Sequence, residues 1–463
     1  MSQNPTNLEL PKTARKRDPR LDFFRGIGMF IIFMAHMPGN WFTLYIPARF
    51  GFSDATEIFV FCSGMASAIA FGKIFEKSGW VMGAARIGHR MWQVYWAHIG
   101  LFFVTLMLMV WQTQIAETGL LCEFNERKLC NTAEHEPWNY LGRLNIIHVF
   151  QEINGSPAWD NFVGIMTLTW VPNLFDILPM YIVILGMIPI IMALSKISKW
   201  AVFAFMASLW IAAQFDLIWL SAEPWSDREW FFNPFGWQLV FFTGFAFMMG
   251  WIPRPPVKAW LFVLCLATVL LIIPFSFWGI YRDPNNFVLS LEASRWLLGV
   301  DDLGSLLYDH SSLKQDNLEP FNLFQLTREN FWIVMAKTDF GIGRYIHFLA
   351  LAYVFWVLAG EGGKNLDFKG FIGKWFVKLV HKVGQQSLAV FLTSIVLSRF
   401  CGFILDIIGK TWGTMFLVNG LGFLVLIGVA YLVGWIKTNP WKPRPPRTDA
   451  AATATASDRA TGI

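Results

Sequence analysis

Apolar residues run along this chain in blocks too long for the core of a soluble protein, separated by shorter polar or basic stretches. Ten blocks stand out, at roughly 21–37, 53–72, 93–113, 176–194, 200–220, 235–251, 258–279, 343–359, 384–406 and 412–435. A hydrocarbon core takes about 17–25 helical residues to cross, so each block is read as a span, the first and sixth being short. The pattern predicts an all-α, polytopic membrane protein with about ten transmembrane helices. Its organisation reads as a cytoplasmic basic tail over 1–20 and a membrane domain over 21–435. Two long loops interrupt that domain at 114–163 and 280–342, and a polar tail over 436–463 reads as disordered. No internal repeat is evident.

Composition agrees with the pattern. Of 463 residues, 55% are hydrophobic and only 15% charged, and 45 Phe and 24 Trp suit lipid-facing and interfacial positions. The net charge of +5 matters less than where the charge lies. With the N-terminus inside, the inner segments 1–20, 73–92, 195–199, 252–258, 360–383 and 436–463 hold 23 Lys and Arg, against 11 in the longer outer segments. The positive-inside rule therefore places both termini in the cytoplasm. The first span lacks a small-residue cleavage site and is expected to stay as an anchor. Cys62, Cys265 and Cys401 fall in spans, whereas Cys122 and Cys130 flank a short outer loop where an oxidising compartment permits either a disulfide or two free thiols. The chain has no metal-ligand spacing, no P-loop and no dinucleotide fingerprint. No metal, no permanently bound cofactor and no nucleic-acid partner is expected, and the sequence does not speak to oligomeric state.

Against this background the charged and titratable residues inside the spans are conspicuous, because ionisable groups at membrane depth are costly and usually functional. Arg25 and His36 are eleven residues apart in RGIGMFIIFMAH, about 16 Å along a helix and on nearly the same face, with Arg25 inward and His36 outward. Pro38, Gly39, Asn40 and Arg49 follow, and then Ser53, Asp54 and Glu57 at the start of the second span. Ser53 can cap that helix. Asp54 either caps or faces a site. Glu57, one turn deeper, either pairs with Arg49 or, like Asp54, orients His36 as an acid–base group. Leading into the third span, Arg86 and Arg90 share a face beside His89. They either obey the positive-inside rule alone or bind an anionic ligand that Arg25 extends into the membrane, while the roles of Tyr95 and His98 stay open. Asp176 caps the fourth span or points into an outer cavity, with Tyr181 one turn on. Asp301, Asp302, His310 and Trp332 in the second long loop suit sugar binding and interfacial packing equally.

Three stretches resemble the acyltransferase-three family of membrane O-acyltransferases. They are the basic residue, ten residues, histidine pattern of Arg25 and His36; IFVFCSG at 58–64; and an arginine-rich helix start running into Tyr95 and Trp96. GQQSLAVFLTS is similar to the family's Ser-Leu segment, but Leu392, Thr393 and Ser394 stand where a histidine usually follows. RDPRLDFFRGIGMFIIFMAHMPGN and PARFGFSDATEIFVFCSGMASAIAFG resemble more closely the OpgC branch, which succinylates osmoregulated periplasmic glucans. The resemblance covers roughly 18–435. It implies a multi-pass protein of the bacterial inner membrane that takes succinyl-CoA or another acyl-CoA as co-substrate and acylates a periplasmic glucan. It implies His36 as the catalytic histidine, Arg25 for CoA or thioester positioning, and Arg86 and Arg90, with Tyr95 nearby, for CoA. The chemistry then calls for Glu57 or Asp54 to orient His36, and for Arg49 or Asn40 to stabilise an oxyanion. Asp176 and Tyr181 would lie on the acceptor side, and Arg49 or Arg399 would hold a distal carboxylate. Another cell-envelope glycan or glycolipid as acceptor, and a membrane transporter, are the rival readings.

Overall fold

The computed structural model describes residues 18–124, 129, 139–142, 146–150, 152, 155, 157–276, 332–366 and 370–442. Asp301, Asp302, His310 and Cys130 lie outside them. Among the described residues the chain is helical, with one isolated antiparallel bridge between Ser221 and Glu229. Helix α1 (Pro19–His36) starts with proline in its first turn behind Asp18, whose carboxylate accepts the Arg20 backbone N–H at 3.0 Å. It stops just before Pro38, which cannot continue a helix.

α2 (Ala55–Ser67) runs through one π turn at Ala68–Gly72 into α3 (Lys73–Glu117), whose dihedrals leave the helical region only at Gly79, with φ 83° and ψ 172°. The segment 73–92, expected between two spans, holds that break: at Gly79 the chain bends so that Phe75 comes against Gly83, and residues 80–92 beyond it are helical. The basic residues there suit an inner position but do not break a helix, and WVMGAARIGHRMW contains no proline. The helices that follow are α4 (Ala158–Thr167), α5 (Ile177–Ile197), α6 (Lys199–Gln214), α7 (Pro234–Met249), α8 (Ala259–Ser276), the single turn α9 (Trp332–Met335) and α10 (Ile342–Ala359). The expected span 384–406 divides at Gln386 into the end of α11 (Phe371–Gln385) and α12 (Ser387–Ile408), and α13 (Trp412–Ile436) closes the bundle.

Each of the ten expected spans falls on a helix, yet only five described helical stretches are long and apolar enough to cross a membrane. They are Ala55–Glu117, then α5, α10, α12 and α13. Ala55–Glu117 holds two expected spans, one on each side of the break at Gly79. α6 and α7 reach only 16 residues each, about 24 Å. α1 has 18 residues and carries Arg20, Asp22 and Arg25 among them.

α1 packs against α2, α11 and α12, and the remaining helices gather in pairs around that group: α2 with α7, α3 with α5, α8 with α10, α12 with α13. Met29, Ile32 and Phe33 of α1 are buried in one apolar core with Phe59, Val60, Phe391 and Ile395. The α1–α11 crossing is set by two glycines. A Cβ on Gly26 would strike the Val380 carbonyl, and one on Gly384 the Asp22 carbonyl, so the two backbones meet directly. Gly384→Ala is expected to lower stability by about 1–3 kcal/mol in thermal unfolding of the detergent-solubilised protein. Gly428→Ala on α13, where a Cβ meets nothing within 4 Å, should be neutral or stabilising by up to about 1 kcal/mol.

Candidate active site

His36 closes α1. Its Nδ1 lies 2.7 Å from the Ile32 carbonyl oxygen, which can only accept, so Nδ1 carries the proton and Nε2 presents a lone pair. Among the described residues Nε2 has no hydrogen-bond partner, and the side chain is half-buried. The expectation that Asp54 or Glu57 orients the imidazole through a hydrogen bond is thus corrected: the backbone one turn earlier does it. The chain then turns through Pro38 and Gly39 to Asn40, which caps the 3₁₀ turn Trp41–Tyr45. The Asn40 amide donates to Met34 O (3.3 Å) and Asn419 Oδ1 (2.9 Å), and its oxygen accepts from Phe42 N–H and the Asn419 amide. Expected as an oxyanion donor, Asn40 instead clamps α1 to α13, because its donors are already spent.

The start of α2 carries the densest charge. Asp54 is the N-cap and accepts from the Thr56 N–H at 2.6 Å, while Glu57 reaches back to the Asp54 N–H at 2.7 Å, a complete capping box. Each carboxylate also holds a cation from the segment preceding or opening α10: Asp54 pairs with Lys337, and Glu57 accepts from Arg344 Nη1 at 2.6 Å. Glu57 therefore does not pair with Arg49, whose Nε donates to Thr43 O at 3.1 Å. Ser53, expected as a cap, points elsewhere. Its N–H and hydroxyl both face Nδ1 of the buried His347, at 3.3 and 2.7 Å. The N–H must donate, so His347 accepts at Nδ1 and carries its proton on Nε2, which has no partner.

Two clefts flank this array. One, of about 460 Å³, is lined by Ala35, Met37, Asn40, Thr43, Arg49 and Lys410. Lys410 pairs with Asp406 at 3.3 Å, and Asp406 also accepts from the Tyr140 hydroxyl at 3.1 Å. The other, of about 430 Å³, is lined by Asn173, Asp216, Arg228, Glu229, Thr338 and Asp339. Burial pushes the Asp339 carboxyl above its ordinary range and the Asp216 charge adds to this, against the opposing hydrogen bond from Asn233. Burial and the nearby Asp339 and Asp216 charges likewise raise Glu229. Lys337 lies between this cleft and Asp54, its ammonium 5.8 and 5.5 Å from the ring centres of Phe231 and Phe232. Lys337, Asp54 and Arg399 are all close enough for their charges to bear on His36.

The other expected residues lie apart. Arg25 is buried, donates to the Cys62 carbonyl at 2.8 Å and has no partner for Nε; Asp22, one turn away, is buried too. Arg86 is exposed, and Arg90 donates to Gln93 Oε1 at 3.1 Å. Arg90 has Lys437 of α13 for an electrostatic neighbour. Tyr95 donates its hydroxyl to Met166 O at 2.7 Å, which ties α3 to α4. Asp176 stands at the N-cap of α5 but makes no cap bond there; its Oδ1 accepts the Phe231 N–H at 3.2 Å across a loop. Tyr181 sets its ring edge-on to Phe241, with centroids 6.0 Å apart. Cys122 is disulfide-bonded, and Cys62, Cys265 and Cys401 are free thiols.

Lys337, Arg344 and His347 were not among the residues singled out from sequence. The signal was present: an Arg and a His three residues apart at the head of an apolar span, as unusual as Arg25 and His36.

A family model described as the OpgC protein matches residues 17–438, nearly the whole chain, and the chain belongs to the OpgC family. No curated protein and no solved structure matches it.

Glu57→Gln would leave Arg344 buried without its counter-charge. It is expected to destabilise by about 3–5 kcal/mol in thermal unfolding. Asp54→Asn, whose partner Lys337 is partly exposed, should cost less, about 1–2 kcal/mol including the weakened cap.

Proposed function

We propose that this member of the OpgC family is a membrane O-acyltransferase that moves an acyl group, succinyl in the first instance, from cytoplasmic acyl-CoA to hydroxyls of a periplasmic glucan. The observation that carries this reading is His36, with Nδ1–H held by Ile32 and Nε2 free beside a cleft lined by its neighbours Ala35 and Met37. That is the state a general base needs. The distribution of Lys and Arg supports an orientation with both termini in the cytoplasm of a bacterial inner membrane, with the Arg25 end inward and the His36 end outward.

In this mechanism a glucan hydroxyl enters beside His36 and gives its proton to Nε2 as its oxygen bonds to the thioester carbonyl carbon. The tetrahedral oxyanion collapses, the carbon–sulfur bond breaks, and the proton passes from Nε2 to the leaving thiolate. Atoms and charge balance without any further reactant. Lys337 and Arg49 are the cations placed to stabilise the oxyanion, since the Asn40 amide is occupied. Arg25 steadies the thioester arm, and Arg86 and Arg90, joined by Lys437, receive the CoA phosphates. Tyr95 braces α3 against α4. The amide- and carboxylate-lined second cleft, reached by Asp176 through Phe231, offers hydrogen-bond partners for the sugar.

His36→Ala should unfold at the wild-type temperature and lose at least about a hundredfold in acyl transfer by the purified protein. Undiminished transfer removes His36 from the chemistry. Mass spectrometry of periplasmic glucans from cells with and without the protein checks the acceptor, and identical glucans would rule it out.

A further inference from the structure

Charge pairing at the His36 end leaves one cation over. Lys337 has Asp54, Arg344 has Glu57 and Lys410 has Asp406. Arg49 turns to the Thr43 carbonyl at the rim of its cleft. Arg399 on α12 is half-buried and has no acidic partner among the described residues, and its Nε is buried without any hydrogen-bond partner.

Its position is fixed by packing. Gly402, one turn further along α12, abuts the ring of Pro38, so closely that a Cβ there would collide with it. Residues three apart share a helix face. Arg399 thus looks at the end of α1 from one turn deeper, where its charge bears on His36. Its other surroundings offer no neutralising charge: on α3 the near group is Gln112, which donates to the Arg399 carbonyl at 3.2 Å, and on α12 itself Ser398 bonds back to Ile395. A desolvated guanidinium beside a histidine is costly unless an anion accompanies it.

The geometry points to Arg399 as the residue that selects the acyl group. It receives a carboxylate at the far end of the acyl chain while the thioester carbon lies at His36, so the site takes dicarboxylic acyl donors in preference to neutral ones. This rests on the acyltransferase reading above. The planar fork of terminal nitrogens matches a carboxylate in two parallel hydrogen bonds, which an ammonium reproduces only in part. Arg49 is the less suitable of the two candidates, because its Nε is already engaged at the Thr43 carbonyl.

The test compares succinyl-CoA with butyryl-CoA, which has the same four-carbon length and no terminal charge. Turnover and thermal stabilisation are measured on purified full-length wild type, Arg399→Gln and Arg399→Lys. The ratio of kcat/KM for succinyl-CoA over butyryl-CoA should fall about tenfold to a hundredfold in Arg399→Gln and recover partly in Arg399→Lys. An equal loss with both donors, or a wild type indifferent to the terminal carboxylate, overturns the assignment. A wild type that turns over neither donor, yet is stabilised more by succinyl-CoA in an Arg399-dependent way, sinks the acyltransferase reading and leaves Arg399 as a carboxylate site. Neither turnover nor preferential stabilisation removes both.

Discussion

The buried ion pair between Glu57 and Arg344 is the constraint on which the His36 end of this bundle depends. Glu57 is wholly enclosed and serves two groups: the Asp54 backbone N–H, which completes the cap of its own helix, and the guanidinium of Arg344. Remove its charge and a cation is stranded among apolar helices. Keep it, and α2 and α10 are held in one register. Lys337 is thereby brought to Asp54, and His347 to Ser53. The surroundings of His36 are assembled by this neutralisation rather than by contacts His36 makes itself.

α1 is the second organising element, fastened by different means at its two ends. At the Arg25 end it meets α11 backbone to backbone through Gly26 and Gly384. At the His36 end it is clamped by Asn40 to Asn419 of α13 and pressed by Pro38 against Gly402 of α12. Anchored at both ends, the helix keeps Arg25 and His36 at a fixed spacing of about 16 Å. That rigidity suits the proposal above, in which the two groups act on different parts of one extended donor.

How far this could be read from sequence depended on the range of each interaction. The helices were legible because long apolar runs declare themselves locally, and Arg25 and His36 because charge inside such a run is rare. Asp54 and Glu57 were visible as a pair three residues apart. Their partners were not, since Lys337 and Arg344 lie 283 and 287 residues further on, and local spacing carries no information about contacts made across the bundle. Residues 73–92 were expected between two spans, and the break between the two helices falls among them at Gly79, whose positive φ glycine adopts without strain. Asn40 looked like a free donor because nothing near it in sequence is a partner for its amide; its partner, Asn419, comes from the last helix.

The hydrogen bond from His36 to Ile32 restricts chemistry in a further way. An imidazole whose Nδ1–H is pinned to a carbonyl has a single working nitrogen. If the acyl group were first parked on that nitrogen, the histidine would have no basic atom left for the incoming hydroxyl, and Ile32 could not take up the proton. The ring can be carrier or base, but not both at once. For the acyl transfer proposed above, this favours a single step in which the thioester sulfur and the acceptor oxygen would meet at the same nitrogen.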